Sequence, residues 1–455
     1  MMNEPLYVAA AKIYPRAVHG WFAAWRWALV WATQLVFYGG AWLTWNDRQA
    51  ILFDIAQRKF YIFGLVFWPQ DVIYLTVLLV ISALSLFLFT AVAGRLWCGY
   101  VCPQTVYTEI FLWIERKIEG ERNRRIRLDR ESWGAKKIGL KAVKHGVWVA
   151  LALWTGFTFV GYFTPIRELG GSLLRLEAGW ATFWTLFYGF ATYGNAGWMR
   201  EQVCKYMCPY ARFQSAMFDR DTLVITYDGG RGEPRGTRTK GRAREGLGDC
   251  VDCGICVQVC PTGIDIRAGL QYECIGCAAC IDGCDQVMDT MGYARGLIRY
   301  STQNALEKKF SVRQMWRRAF RPRILVYSAV LWAIIIAVVV GLFLRIPLKV
   351  DIIRDRAMIS REIAGGVIEN VYRVQVINTQ EAPRRFELSA EGLPSLMLVG
   401  DGTLELAGAS SRLVPVKLRV QPGQVGAGKH PIVFVVRAED DAQVAVREKS
   451  IFIVR

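Results

Sequence analysis

The sequence predicts a membrane α-helical bundle of five spans, with a small cysteine-rich insert before the fifth span and an all-β domain after it. Three features of the 455 residues lead to this fold class. The chain contains five long apolar blocks, its twelve cysteines stand in metal-type spacings, and the residues after the fifth block alternate between apolar and polar. Because no cysteine follows Cys284, a secreted scaffold held by disulfides is excluded.

The five apolar blocks are each close to the roughly 20 residues that a helix needs to cross the hydrocarbon of a bilayer. They cover residues 27–46, 72–94, 146–166, 178–199 and 324–344. The first block lacks a small-residue cleavage signature, so we expect a spanning helix and not a removable signal peptide.

The segments between the blocks differ in charge, which predicts their side of the membrane. Segments 1–26, 115–144 and 199–323 carry net charges of +2, +6 and +6, whereas 47–71 and 167–177 are neutral. Basic side chains near span ends are retained in the cytoplasm, so the N-terminus is predicted inside and the C-terminus outside. The overall charge of +17 sits beside the spans, which argues against nucleic-acid binding.

These boundaries define seven segments. We expect a cytoplasmic N-terminus (1–26), a four-helix membrane core (27–213), a basic glycine-rich tether (214–249), a cytoplasmic cysteine insert (250–290), a connector (291–323), the fifth span (324–344) and a periplasmic domain (347–455). The tether is expected to be flexible because it is rich in glycine and has no apolar periodicity.

The last segment has the pattern of an immunoglobulin-like β-sandwich. Short runs with period-two alternation are separated by Gly, Pro and Asp turns, as expected for an antiparallel sandwich. The predicted strands cover residues 371–377, 385–390, 396–399, 403–406, 413–420, 432–437 and 450–454.

The cysteine insert carries the most specific signal in the chain. Two runs share the spacing C-x2-C-x2-C-x3-C, namely Cys250, Cys253, Cys256 and Cys260, then Cys274, Cys277, Cys280 and Cys284. Bacterial ferredoxins with two 4Fe-4S clusters use this spacing, and the fourth cysteine of each run ligates the other cluster. The assignment is therefore Cys250, Cys253, Cys256 and Cys284 for one cluster, with Cys274, Cys277, Cys280 and Cys260 for the second. Structural zinc is the alternative, but a tetrahedral zinc ion has no use for so many thiolates.

A second motif, C-x3-C-P, follows a pair of spans in each half of the membrane core. It places Cys98 and Cys102 before Pro103, and Cys204 and Cys208 before Pro209. If the helix continues, cysteines four apart face the same way, and four thiolates then meet near the cytoplasmic surface. Such a soft set favours Cu(I), zinc or an iron–sulfur centre. The alternative is that these cysteines only pack between helices.

The remaining candidate functional residues give weaker signals. Met207 is a soft side chain between the second pair of cysteines, and the histidines are scattered, which gives little support to a haem. The aromatic loop 47–71 on the predicted outer side fits either a docking segment or an interfacial turn.

Taken together, the two membrane motifs, the ferredoxin insert, the fifth span and the terminal β-domain resemble the FixG/CcoG-type cytochrome oxidase accessory proteins. The stretches 48–54, 58–64, 68–71 and 274–282 add to the resemblance. It implies a role in the assembly of cbb3-type cytochrome c oxidase in the bacterial inner membrane. It further implies a cupric reductase that turns Cu(II) into Cu(I), with copper as substrate or transient ligand of Cys98, Cys102, Cys204 and Cys208.

The partners expected from this reading are the membrane, oxidase subunits or copper chaperones and transporters, and a cytoplasmic electron donor, with self-association left open. Two other functions stay open. One is an electron relay between quinol and a periplasmic respiratory enzyme, and the other is a redox-sensing assembly scaffold without catalysis. Copper-dependent oxidation of the reduced clusters separates copper reduction from both of these functions.

Overall fold

The computed structural model describes residues 12–177, 179–240, 246–354 and 360–454. Residues 1–11 of the predicted N-terminal segment, residues 241–245 of the predicted tether and residues 355–359 of the predicted outer domain lie outside these ranges. The chain divides into two compact units. The first holds the residues up to Leu43 together with Val77–Ile335, and the second holds Thr44–Thr76 together with the residues from Ile336 onward.

The helices of the described ranges are numbered in chain order. They are α1 Trp21–Gly40, α2 Val72–Ala93, α3 Leu96–Tyr100, α4 Pro103–Glu119, α5 Arg122–Arg130, α6 Ala135–Val160, α7 Ile166–Leu174, α8 Trp180–Thr192, α9 Pro209–Met217, α10 Gly229–Gly232, α11 Ile255–Gln258, α12 Ala279–Met291, α13 Gln303–Glu307, α14 Val312–Ala319 and α15 Pro322–Phe343. Short π-helical segments cover Tyr193–Met199 and Val203–Met207, and 3-10 turns cover Pro69–Asp71 and Ile266–Ala268.

The strands are numbered in the same way. They are β1 Thr44–Trp45, β2 Arg48–Gln49, β3 Ile51–Asp54, β4 Lys59–Ile62, β5 Leu65–Phe67, β6 Val224–Tyr227, β7 Ile298–Ser301, β8 Leu348–Arg354, β9 Arg361–Ile363, β10 Val367–Asn378, β11 Arg384–Glu391, β12 Met397–Val399, β13 Thr403–Leu406, β14 Ser411–Val420, β15 Gly428–Ala438 and β16 Ala445–Val454.

In the described ranges, three helices are long and apolar enough to cross a membrane, judged by length and composition. They are Pro69–Ala93, Ala135–Val160 and Pro322–Phe343, which coincide with the second, third and fifth predicted blocks. The first block falls largely on α1 and the fourth on α8 with the π-helical segment after it. The α8 helix keeps regular backbone for only 13 residues. Membrane association therefore rests on three helices, and five crossings stays a prediction.

The predicted tether is more ordered than its composition indicates. Strand β6, inside the predicted tether, pairs with β7 from the far side of the cysteine insert, in a register that runs from Val224 opposite Ser301 to Tyr227 opposite Ile298. Arg231 also donates from Nε to Asp249 Oδ2 at 2.5 Å. The described part of this segment thus differs from a flexible linker, because strand pairing holds both ends of the insert together.

The second unit contains a β-sandwich, as the alternating pattern predicts. One sheet has the order β12–β14–β10–β8, with β9 also on β10, and the other has the order β13–β11–β15–β16. The seven predicted strands correspond to β10 through β16, and β8 and β9 were not predicted. Strand β8 begins a few residues after the last apolar helix. Because few turn residues separate β8 from that helix, the short alternating pattern of β8 is hard to distinguish from the end of the apolar run.

Buried polar contacts join the two sheets in place of disulfides. Tyr372 Oη donates to the Ile451 carbonyl at 2.9 Å, and Asn370 Nδ2 donates to the Ile453 carbonyl at 2.8 Å. The Tyr372 ring also packs edge-on against Phe434, with ring centroids 5.1 Å apart. Since buried polar groups are costly unless paired, these contacts favour one alignment of the two sheets.

The aromatic loop 47–71 folds onto the same unit. Strands β3, β4 and β5 form an antiparallel sheet, and their side chains, together with Trp68, form a buried cluster with Ile377 of β10. Asp71 then accepts a bond from Arg345 Nη2 at 2.7 Å and contacts Lys349 Nζ. In the described residues, the loop is therefore packed against the β-domain of its own chain.

Candidate functional site

The two cysteine runs form matching loops in the first unit. In each loop the residues on either side of the middle cysteine have positive φ: Asp252 (50°) and Gly254 (65°) around Cys253, and Gly276 (72°) and Ala278 (59°) around Cys277. Alternation of left-handed and right-handed residues turns successive backbone N–H groups into a concave nest, which is a frequent setting for iron–sulfur centres. The backbone is therefore shaped around a negatively charged group in both loops.

The eight cysteines of the insert fall into two groups in space. One small cavity is lined by Cys250, Cys253, Cys256 and Cys284. A second is lined by Cys260, Cys274, Cys277 and Cys280, with Cys256 also on its border. The fourth cysteine of each run thus lies with the first three of the other run, and this donor chemistry fits a 4Fe-4S cluster in each group. Ligation by these individual residues stays a prediction.

The thiols of the insert are largely buried, which affects their protonation. Burial raises the pKa of Cys256 to about 11 and that of Cys284 to about 12. Because metals bind the thiolate, cluster insertion must release these protons. When bound, a 4Fe-4S cluster supplies one-electron chemistry.

The two C-x3-C-P motifs do not continue a single helix, so the condition under which the cysteines of each pair would face the same way is not met. Cys98 lies in α3, but Cys102 is the N-cap of α4 with ψ of 126°, and Cys208 is the N-cap of α9 with ψ of 108°. The prolines at positions 103 and 209 occupy the first turns of α4 and α9 and disfavour helical backbone at the preceding residue. The paired cysteines therefore stand at a break between two helical segments.

The four thiols of these motifs are nevertheless neighbours. Burial, together with the thiols of Cys102, Cys98 and Cys208, raises the pKa of Cys204 to about 12. Across the described residues, however, no three His, Cys, Asp or Glu side chains are arranged to hold one metal ion as they stand. The motifs thus gather four sulfurs at one place without forming a closed single-ion site.

The motif thiols also lie beside the second cysteine loop of the insert. Cys98 and Cys204 pack against a buried cluster that contains Cys277. Between them, Gly99 touches the loop backbone directly. A Cβ atom at Gly99 would lie 2.7 Å from Cys277 Cα and 2.8 Å from Gly276 C. Only a glycine permits this approach without displacement.

Replacement of Gly99 by alanine is expected to weaken this contact by about 1–3 kcal/mol, because the new methyl group overlaps the Cys277 backbone. The effect is measured as the loss of visible iron–sulfur absorbance on heating, and the midpoint temperature of that loss should fall. Gly139→Ala is the matched control, since a Cβ there meets nothing within 4 Å. Equal midpoints for the two variants would show that the loop does not depend on this approach.

Polar residues of α1 and α12 fix the same loop, and sequence reasoning did not find them. Asp282 accepts from the backbone N–H groups of Phe22 at 3.2 Å and Ala23 at 2.7 Å, in the first turn of α1. Arg26 donates from Nη1 to the Cys277 carbonyl at 3.0 Å. A carboxylate at a helix N-terminus is a favourable placement for negative charge. The sequence signal that could have located Arg26 was an arginine directly before the first apolar block.

A buried ion cluster connects the two segments that carry the C-x3-C-P motifs. Glu115 of α4 accepts from Arg200 Nη2 at 3.0 Å and from Arg125 Nη1 at 3.3 Å. Burial opposes ionisation of Glu115, but Arg200, Lys144 and Arg125 outweigh it and hold the pKa of this carboxyl below its usual value. Arg200 itself has a φ of 41°, and it precedes Cys204 by one helical turn. The cluster therefore ties the helix after the first motif to the segment before the second.

The weaker sequence candidates are not drawn into this arrangement. Met207 is 57% exposed. His145 shares a hydrogen bond with Tyr193 Oη at 2.9 Å, and His430 Nε2 contacts the Gly426 carbonyl. In the described residues these side chains act as local packing or surface groups.

Two ferredoxin-type cysteine groups beside apolar helices define an iron–sulfur electron-transfer protein associated with a membrane. Family models agree with this class over three parts of the chain. Residues 75–120 match a 4Fe-4S binding domain, residues 199–303 match a 4Fe-4S dicluster domain, and residues 338–455 match the "IG-like fold at C-terminal of FixG". Both C-x3-C-P motifs fall within the first two matches.

The chain belongs to the FixG family of polyferredoxins. It is 39% identical to the nitrogen fixation protein FixG of Rhizobium meliloti, over 92% of this chain and 88% of that protein. It is 41% identical to protein RdxA of Cereibacter sphaeroides over 87% of this chain and 85% of that protein. Protein RdxB of the same organism is 40% identical over 88% and 86%.

Proposed function

We propose that this protein reduces Cu(II) to Cu(I) at the thiols of Cys98, Cys102, Cys204 and Cys208, using electrons held by the ferredoxin insert. The Cu(I) is then available for the copper centre of a cbb3-type cytochrome c oxidase. Copper is here a substrate, and the two 4Fe-4S clusters are the resident cofactors.

The contact between Gly99 and the Cys277 loop carries this proposal. It places the motif thiols beside the second cysteine group, so an electron needs to move only a short distance from one to the other. Soft thiolates stabilise Cu(I) over Cu(II), which favours reduction at these four residues.

The proposal includes a topology. The positive-inside rule places both cysteine sets on the cytoplasmic face and the β-domain in the periplasm, with five crossings between them. Electrons then reach copper without crossing the membrane. A periplasm-specific reporter fused after the C-terminus should be active. Activity of a cytoplasm-specific reporter alone at that position would overturn the topology.

The direct test uses full-length protein purified anaerobically in detergent and reduced chemically, with excess reductant removed. Added Cu(II) should reoxidise the clusters and appear as Cu(I), measured by electron paramagnetic resonance and a Cu(I)-specific chelator. Removal of the clusters should abolish the reaction. Clusters that stay reduced in the presence of Cu(II) would exclude copper reduction, and an obligatory requirement for quinol would favour the relay function.

A further inference from the structure

A cavity of about 370 Å³ lies in the first unit, between α1, α4 and the second cysteine loop. Cys204 of the second motif and Cys277 of the insert both line it. Neither the cluster groups nor the proposed copper chemistry accounts for this volume. It adjoins both sets of thiols.

One wall of the cavity is apolar and belongs to α1. Ala23, Trp27 and Val30 line it, at positions that share one face of the helix. Trp113 of α4 completes the wall, with its ring centroid 6.3 Å from that of Trp27. The other faces of α1 expose large apolar side chains, namely Trp21, Trp25, Trp31, Leu35 and Val36. Such a surface is typical of lipid contact.

The opposite wall is polar and contains an unsatisfied donor. Arg26 is only 8% exposed and borders the cavity, yet its Nε has no hydrogen-bond partner among the described residues. A buried donor of a charged group without an acceptor is costly, which points to an acceptor supplied from the cavity. Thr108 and Glu109 of α4 line the same space.

We propose that this cavity binds the ring of a membrane quinone. A quinone ring is neutral and planar, so it lies against the apolar wall that Ala23, Trp27 and Val30 form, and one of its carbonyl oxygens accepts from Arg26 Nε. This inference extends the proposed function by naming a membrane-soluble donor in place of a soluble cytoplasmic one. Oxidation of the quinol releases two electrons, matching two one-electron clusters, and two protons, which pass to solvent.

The buried cations beside the second cysteine group suit such a donor. Arg26 donates to the Cys277 carbonyl, and buried Arg95 donates to the carbonyls of Tyr272 and Ala211. Positive charge near a 4Fe-4S cluster favours its reduced form, because net charge is one of the determinants of cluster potential. The second cysteine group, which adjoins the cavity, is therefore the better acceptor for electrons from a quinol.

The test is equilibrium titration of the purified full-length protein in detergent with decylubiquinone. Val30→Trp fills the cavity, since Val30 is 4% exposed and lines it, whereas Val36 is 74% exposed on the same helix. We expect Val30→Trp to weaken binding about tenfold or more, and the matched Val36→Trp to leave it unchanged. Trp113→Ala, which removes part of the cavity wall on α4, should also weaken binding while iron content stays intact, and it covers the case in which Val30→Trp fails to fold.

Absence of saturable binding to the wild-type protein would overturn the inference, as would equal affinities of the Val30→Trp and Val36→Trp variants. Extraction of a flavin from the purified protein in place of a quinone would also overturn it. Copper reduction by chemically reduced Val30→Trp should persist, because that reaction bypasses the donor. A failure of the quinone site is therefore distinguishable from a failure of copper reduction.

Discussion

Replacement of Cys98, Cys102, Cys204 and Cys208 by serine should reduce the Cu(II) reduction rate of the reduced protein to background. The four sulfurs are soft ligands in the motifs that pack beside the second cysteine group, and serine hydroxyls do not stabilise Cu(I). Iron content should remain near the wild-type value of about eight atoms per chain, as expected for two 4Fe-4S clusters, because these residues lie outside both cluster groups. Metal analysis and chelator-detected Cu(I) on the same preparation measure both quantities.

The control for this variant is Met207→Ser, which removes another sulfur from the same segment. Because Met207 is 57% exposed, it should leave copper reduction unchanged. Two results count against the assignment of the four cysteines. Loss of iron in the four-serine variant would mean that they ligate a cluster or support the fold, and full copper reduction would mean that they only pack between helices.

The second prediction concerns the fourth cysteine of each run, which is expected to ligate the cluster of the other run. Because Cys260 lies with Cys274, Cys277 and Cys280, the double variant Cys260→Ser/Cys277→Ser should lose one cluster and keep about four iron atoms per chain. The double variant Cys253→Ser/Cys260→Ser removes one ligand from each group and should lose both clusters. Iron analysis and paramagnetic resonance of the reduced protein distinguish the two variants.

If each run closed on its own cluster, the iron contents of the two double variants would be reversed. Two single variants test the order of electron transfer. Cys284→Ser, in the group farther from the motif thiols, should spare more copper reduction than Cys260→Ser, since Gly99 contacts the Cys277 loop. Equal losses would show that both groups are needed on the path.

Several parts of the structure could be predicted because their signals are local. The α2 and α15 helices follow from uninterrupted apolar runs, and β10 through β16 follow from alternation between turn residues. The ferredoxin loops follow from cysteine spacing, because three thiols a few residues apart can wrap one centre only if the backbone turns between them. The left-handed residues at 252, 254, 276 and 278 are that turn.

Other features depend on contacts that a local pattern does not reveal. The sequence left open whether the helices continue through both C-x3-C-P motifs, and in the structure proline starts a new helix directly after Cys102 and after Cys208. The flexible tether expected at 214–249 contains strand β6, which is paired with β7. Composition described its glycine content correctly, but pairing between β6 and β7 is a contact between residues far apart in the chain.

The sequence by itself therefore determined the ferredoxin-type cysteine spacing, three of the apolar helices and the β-domain, since each depends on residues close together in the chain. The tertiary structure alone decided what surrounds that chemistry. It brought Gly99 onto the Cys277 loop, placed Arg26 at the same loop beside a cavity, and folded residues 44–71 against the β-domain. These contacts join residues hundreds of positions apart, and their formation depends on shape and buried charge in the folded chain, which no local pattern encodes.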